Sequence, residues 1–550
     1  MDTKRLILLM ALGIVVFQLW VEWQKDYGSL QKPTEQPLVE SSPIHGEDVP
    51  QTPQMELAPG PGQEQIEAQT QPVKESKRIS VTTDVLHIEI DTAGGSIMLA
   101  ELLNFPEVLD QPDRPVKLLY ETPESIYIVQ GGLLSEQPAP THEEMYSSPQ
   151  QKYVLSPNND ILQVPLFWES GNGIRVKKSF TFKRGDHLVQ VRYDIENDNS
   201  KEWSGRAYGQ IQRTRPETSR VRTVYTYTGG VISEPEKRYE KIDFDDMQEN
   251  KLARNIRNGW IAMLQHYFIS ALIPGSPTDE YHYYTLALEK ERYALGSITP
   301  TIKIAQGNKG TVDHFLYLGA KVQKDLKTIA PGLELTVDYG VLWFLAKPLF
   351  WCLQEFHVFT GNWGWSIILV TLMLKIAFYK LSAAGYRSMA NMRRVQPRLL
   401  SIRERYKNDR SRLNQAMMDI YKEEKINPLG GCFPILVQIP VFIALYWVLL
   451  ESVELRQTPF ILWIKDLSGP DPFFVLPIVM GATMLIQQKL NPAPMDPIQE
   501  KVMMVLPIVF TVFFAFFPSG LVLYWVVNNI LSIAQQWLIT RNIELAASKS

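Results

Sequence analysis

The 550-residue chain predicts a multi-domain membrane protein. Its expected parts are a bundle of six transmembrane α-helices (a five-helix core plus an N-terminal anchor), a large exported antiparallel β-sandwich and a cytoplasmic helical hairpin. Three observations predict this. Five long apolar runs fill the C-terminal part and one more follows the N-terminus. Residues 78–335 instead alternate apolar and polar side chains with a period of two, as strands with one buried face do. Charge divides the same way: from Lys347 onward there are 20 basic and 13 acidic residues, net +7, leaving 35 basic and 46 acidic, net −11, before it.

At the N-terminus, Lys4 and Arg5 precede an apolar run at 6–20, the charged and apolar regions of a signal sequence. No A-x-A site follows, so residues 1–23 read as an uncleaved anchor with Trp20 and Trp23 at the outer interface; cleavage is the alternative. Residues 24–77 read as a flexible linker, with eight prolines between 31 and 76 and no hydrophobic periodicity.

In the 78–335 region, Leu86, Ile88 and Ile90 alternate with polar residues. Phe180 and Phe182, then Val189, Val191, Tyr193 and Ile195, then Phe315, Tyr317 and Gly319 do the same. The segments 171–173 (GNG) and 183–187 (KRGDH) supply turns. Histidines are scattered and Asp245-Asp246 reads as a solvated turn, so no catalytic constellation is expected there. Residues 336–360 follow as an interfacial amphipathic helix. They are aromatic-rich, carry Lys347, Glu355 and His357, and are broken by Pro348.

The core, 361–540, contains apolar runs at 363–379, 432–450, 473–488, 502–517 and 521–539, the last two joined by Pro518-Ser519-Gly520 as a tight hairpin. Residues 382–430 hold 11 basic and 5 acidic side chains, which places this loop in the cytoplasm. Both termini are then cytoplasmic, the tail 541–550 is short, and the β domain lies outside. Cys352 and Cys432 fall on opposite faces and form no disulfide framework or metal signature. No cofactor is implied.

None of the five runs contains Asp or Glu, yet Lys375 lies inside the first. An unpaired cation in a span costs ~2.5–3.5 kcal/mol on insertion scales. Two readings are open: the side chain snorkels the roughly 7–8 Å to the inner edge near Lys380, or the helices fold a hydrated recess around it. Other polar residues recur at helical spacing. Tyr524, Asn528, Ser532 and Gln535 share one face. Thr371, Lys375 and Tyr379 share another, Thr483 and Gln487 a third, and Gln438 sits mid-run. Each alone reads as interhelical glue; together with the lysine they favour an amphiphilic groove. The missing carboxylate argues against a cation-coupled transporter.

The hairpin 382–430 has apolar faces at Leu399, Ile402 and Tyr406 on one arm and Leu413, Met417, Ile420 and Tyr421 on the other, with Asn408-Asp409 as the turn. Arg393, Arg394, Arg398, Arg403 and Arg405 crowd the first arm. They fit either a solvated face near anionic lipid or a dock for an acidic partner or ribosomal RNA.

Three motifs carry a resemblance. They are Asn427-Pro428-Leu429-Gly430-Gly431-Cys432-Phe433-Pro434, Phe517-Pro518-Ser519-Gly520-Leu521-Val522-Leu523-Tyr524, and Gly361-Asn362-Trp363-Gly364. In these, and in its plan over essentially its whole length, the chain resembles the YidC/Oxa membrane-protein insertase family in its Gram-negative bacterial form. The resemblance implies an insertase and chaperone of the bacterial inner membrane, not an enzyme. It would receive nascent membrane proteins, alone or beside the Sec translocon, with SecD/SecF touching the exported domain and the ribosome and phospholipid bilayer as further partners; no DNA is implied. Lys375 stands where the family usually shows arginine and lacks the bidentate fork. Substrate contacts map to Thr371, Tyr524 and Trp525, the last where a tyrosine is common. Ribosome docking through a basic tail is not expected, since the tail has only Arg541 and Lys549. The exported domain resembles a sugar-binding β-supersandwich. The alternative function is therefore a membrane-anchored carbohydrate-binding or sugar-processing protein that uses the β domain.

Overall fold

The computed structural model describes residues 49–50, 76–216, 226–406, 409–424, 433–491 and 497–547. The expected N-terminal anchor, nearly all of the linker, Asn408 and Cys432 lie outside these. The chain divides into two compact units. One is built from His45–Lys347 and Trp447–Thr458; the other, among the described residues, from Pro348–Tyr446 and Pro459–Ser550.

Among the described residues, the first unit is a sandwich of an 11-stranded and an 8-stranded sheet. The alternation read from sequence places the core. Ile79, Val81, Leu86, Ile88 and Ile90 from one sheet join Phe180, Phe182, Val189, Val191, Tyr193 and Ile195 from the other in a single buried cluster. In the larger sheet, Ile126–Ser135 and Trp203–Thr214 pair antiparallel from Tyr127↔Arg213 to Ser135↔Gly205. The Tyr127 hydroxyl crosses the core to Ser270 Oγ at 3.0 Å. The 171–173 and 183–187 turns use Gly173 and Gly185 at φ +86° and +70°, a region L side chains rarely enter.

Alternation misleads at the strand Lys309–Ala320. Leu316 and Leu318 face the main core, while Tyr317 faces a second cluster with Leu326, Ala330 and Leu333, and Phe315 packs against it. Both faces are covered, because a helix lies over the outer one. Helix α1, Phe244–Glu249, is capped by Asp243; the covering helix is α2, Gln323–Ile329. Asp245, expected in a solvated turn, lies in the first turn of α1 and pairs with Arg215 at 2.7 Å.

Alternation also hides a buried cation. Lys178 takes an inward slot between Val176 and Phe180 on the strand Ile174–Lys183. Its ammonium donates to the carbonyls of Gly94, Gly95 and Gly131 at 2.8, 3.0 and 2.9 Å and lies 5.4 Å from the Phe180 and Tyr193 ring centres. Three donors meet three acceptors, so every N–H of the ammonium is satisfied. Burial still pulls its pKa down to about 7.

The segment Trp447–Thr458 is part of this unit although it lies more than 100 residues beyond the last strand. Val453 enters the main core. The Leu450 carbonyl meets a ring nitrogen of His266 at 3.0 Å. Arg456 Nη2 and Gln457 Nε2 donate to the Pro106 carbonyl at 2.8 and 3.1 Å. Lys321 and Glu451 form an ion pair at 3.4 Å, with side chains only 3% and 7% exposed.

Helix α3, Trp343–Thr360, runs through Pro348. The break expected there does not occur, since a proline removes one helical hydrogen bond and the turns on either side persist. Trp343, Phe344, Trp351, Val358 and Phe359 are exposed on it, and Cys352 is a free thiol.

Among the described residues seven more helices follow: α4 Trp363–Ala377, α5 Tyr379–Arg405, α6 Arg410–Glu423, α7 Phe433–Glu451, α8 Val475–Leu490, α9 Pro497–Phe514 and α10 Ser519–Ala547. Asn362 caps α4, its Oδ1 accepting from Gly364 N and Trp365 N at 2.9 and 3.2 Å. Gly364 is required there, because a Cβ would lie 2.0 Å from the Phe460 ring. Among the described residues, no single helix is long and apolar enough to cross a membrane; α4 and α5 together meet that length and composition but bend by 67°. Helices α5 and α6 pack through Val395, Leu399 and Ile420. Asp409 caps α6 by accepting from Arg412 N at 3.0 Å.

Candidate functional site

The α4–α5 bend at Phe378 positions the site. Tyr379 opens a new helix and is 53% exposed, so it does not share a face with Thr371 and Lys375 as the spacing predicted. The bend leaves Lys375 on the last turn of α4, directed inward. Its Nζ donates to Ser532 Oγ of α10 at 2.6 Å. Ser532 Oγ in turn donates to the Asn528 carbonyl at 2.6 Å. Asn528 Oδ1 accepts from Gln438 Nε2 of α7. Three helices are thereby tied by one polar chain. The Lys375 ammonium is thus directed at α10.

Two adjoining recesses surround this chain. The smaller, about 20 Å³, is lined by Lys375, Leu374, Phe378, Gln438, Tyr524 and Asn528 among others; this is room for about one water. The larger, about 310 Å³, includes Gln438, Gln487, Tyr524, Trp525, Asn528 and Ser532 in its lining. Phe442 sits beside Tyr524 and Trp525, with ring centres 6.0 and 4.7 Å away.

Two residues expected in the groove do not line it. Thr371 is buried and its hydroxyl donates to the Ile367 carbonyl one turn back, the usual outlet for a threonine in a helix. Thr483 is buried and accepts from Asn529 Nδ2 at 3.1 Å, joining α8 to α10. Gln535 donates to the Tyr379 carbonyl at 3.3 Å. Sequence reading missed Tyr386, Met389 and Gly385, which α5 contributes to the larger recess. They lie in the basic segment read as a cytoplasmic helical hairpin, at the start of α5 just after the bend.

On the α5–α6 pair, Arg394 and Arg398 are committed to Glu424, at 3.0 and 2.8 Å. Arg393 and Arg405 are exposed and Arg403 is half-buried.

The chain is thus of a class that joins a large β-sandwich to a helical unit enclosing a polar recess with an inward lysine. The family model described as YidC periplasmic domain matches residues 78–352, and the one described as 60Kd inner membrane protein matches residues 355–547. Proteins named membrane protein insertase YidC are similar over the whole length. The one from Methylococcus capsulatus is 49% identical and the one from Nitrosococcus oceani 48%, each with 99% of both chains covered. A crystal structure described as an active YidC insertase with the first transmembrane domain resolved aligns with a TM-score of 0.39 at 22% identity, covering 84% of this chain and 92% of its own. The chain belongs to the YidC family of membrane protein insertases.

Proposed function

We propose that this chain inserts proteins into the bacterial inner membrane and assists their folding, using the recess between α4, α5, α7, α8, α9 and α10. The observation that supports it most is the inward Lys375, hydrogen-bonded to Ser532 beside a recess of about 310 Å³. A polar segment of a nascent chain exchanges water for amide and hydroxyl partners there, which lowers the cost of carrying peptide groups into hydrocarbon. Its apolar part moves along α4 and α10 into lipid. Thr371 acts as support for the α4 wall, and Tyr524 and Trp525 as contact residues. No nucleotide, metal or covalent step is required. Full-length similarity to named insertases favours this over a sugar-processing role.

In this reading α4, α7, α8, α9 and α10 span the membrane with the N-terminal segment as a sixth span, and α3 lies at the outer surface. Both termini and the α5–α6 pair are cytoplasmic, and the β domain, within boundaries near 78 and 335, is periplasmic. Exposed Arg393 and Arg405 are available to anionic lipid or a ribosome, while the β domain is the surface for the Sec translocon and SecD/SecF. Photocrosslinking from positions 375 and 524 to a stalled nascent membrane protein tests the reading. Adducts from both positions are expected; adducts only from lipid-facing control positions on α9 would reject it.

A further inference from the structure

An antiparallel sheet that meets water on its outer face carries polar residues there. The larger sheet departs from this. Consecutive strand residues point to opposite faces. Leu133, Ala207, Tyr283 and Leu295 belong to the main core, so Leu134, Tyr208 and Tyr284 face away from it. With Ile298 they form a separate buried cluster on four adjacent strands, with Leu286 packed against it. Both tyrosine hydroxyls already have partners. Tyr284 donates to Gln210 Oε1 at 2.9 Å, and Tyr208 accepts from the His142 backbone N–H at 3.1 Å. The fifth buried member of the cluster is Val49, 5% exposed, and Pro50 beside it is also buried. These two residues come from the segment read as a linker, and they belong to the same compact unit as the sheet.

A valine before a proline suits this role. Proline restricts the preceding residue to extended backbone, and a β-branched side chain is stiff at χ1, so the step loses little freedom when it docks. A segment tethered to its own site also acts at an effective concentration on the order of millimolar, so a small apolar contact suffices. Residue 49 falls near the middle of positions 24–77, which number 54. The 25 positions 24–48 span at most ~80–90 Å, whereas all 54 span at most ~180–190 Å. We infer that Val49-Pro50 is a strap: this chain's own segment occupies the outward face of the larger sheet and so roughly halves the leash between residue 24 and the β unit. The cluster of Leu134, Tyr208, Tyr284, Leu286 and Ile298 is its socket.

The test uses the full chain in liposomes, with Cys352→Ser and Cys432→Ser removing the native thiols. Single cysteines are then placed by Val49→Cys and, as controls in the same segment, by Ala58→Cys and Ala68→Cys, and alkylation by a soluble maleimide is timed. Position 49 should react at least tenfold more slowly than either control. Adding Tyr284→Ser/Leu286→Ser to Val49→Cys should bring it within about twofold of the controls. Equal rates at all three positions would overturn the strap, since the socket would then be empty or held by another occupant. So would a position 49 that stays slow after the socket is altered, since something else would be covering it. A second readout does not depend on altering the sheet. Spin labels are attached through Gly28→Cys and Thr122→Cys, the latter at an exposed turn, and their distance distribution is compared with and without Val49→Ser. The variant should show a longer mean distance and a broader distribution; superimposable distributions would overturn the shortened leash. The insertase reading stands whichever result is obtained.

Discussion

Removing one member of the Lys321–Glu451 pair should destabilise the β unit far more than removing both. The two charges are 3.4 Å apart and nearly excluded from water. At an effective dielectric of about 20 their attraction is about 5 kcal/mol, against a desolvation cost of several kcal/mol for each ion. The pair therefore nets close to zero. A lone survivor keeps the cost and loses the attraction. Lys321 retains only the Thr336 carbonyl at 3.3 Å, and burial already pulls its pKa down. Lys321→Met and Glu451→Leu should each cost about 3–5 kcal/mol, and the double variant about 1 kcal/mol or less. Thermal unfolding of the detergent-solubilised chain, followed by fluorescence of the buried Trp203 and Trp260, gives the cycle. Costs that simply add would refute the reasoning, since they would mean the charges are already solvated.

Four further outcomes are expected. Burial lifts the Glu454 carboxyl to about 7, so the native state holds its proton where the unfolded chain has released it. Stability from this group is present below pH ~4.5 and lost as pH rises towards 7; Glu454→Gln should flatten that slope in unfolding measured from pH 5 to 8. Lys178→Met keeps the stem but strands three buried carbonyls, and should cost about 3 kcal/mol in denaturant unfolding. Gly481→Ala places a Cβ 2.0 Å from Thr511 Oγ1 between α8 and α9, and should cost about 1–3 kcal/mol. Lys375→Glu puts a carboxylate against Ser532 and should abolish insertion, Lys375→Ala should reduce it, and Lys375→Arg should retain most of it; equal rates for all three would remove this position from the mechanism.

Much of this was readable from the residues. A two-residue period locates strands because each inward side chain must find the opposite sheet, and the core at Leu86, Ile88, Val189 and Val191 follows from it. It fails at Lys178, whose acceptors are carbonyls 47 to 84 positions away in sequence. Lys375, Gln438, Asn528 and Ser532 stood out as polar residues in apolar runs, and they do meet. Thr371 and Thr483 stood out equally but turn to a carbonyl one turn back and to Asn529, and spacing alone cannot tell these outlets apart. The bend at Phe378 has no proline or glycine to announce it, so Tyr386 and Met389 were unreadable as lining. The core position of Val453 depends on a chain return that no local pattern encodes.

That return also alters what a deletion can teach. Excising residues 78–330 to ask whether the remainder still works would strand a dozen residues whose surroundings are the excised sandwich. Val453 would meet solvent and Glu451 would keep its charge without Lys321. A loss of activity after such surgery is therefore ambiguous, reflecting either the missing module or an unmoored end of α7, the helix that carries Gln438. A gentler cut would leave this dozen-residue strap and its socket intact and trim only the edge strands farthest from it.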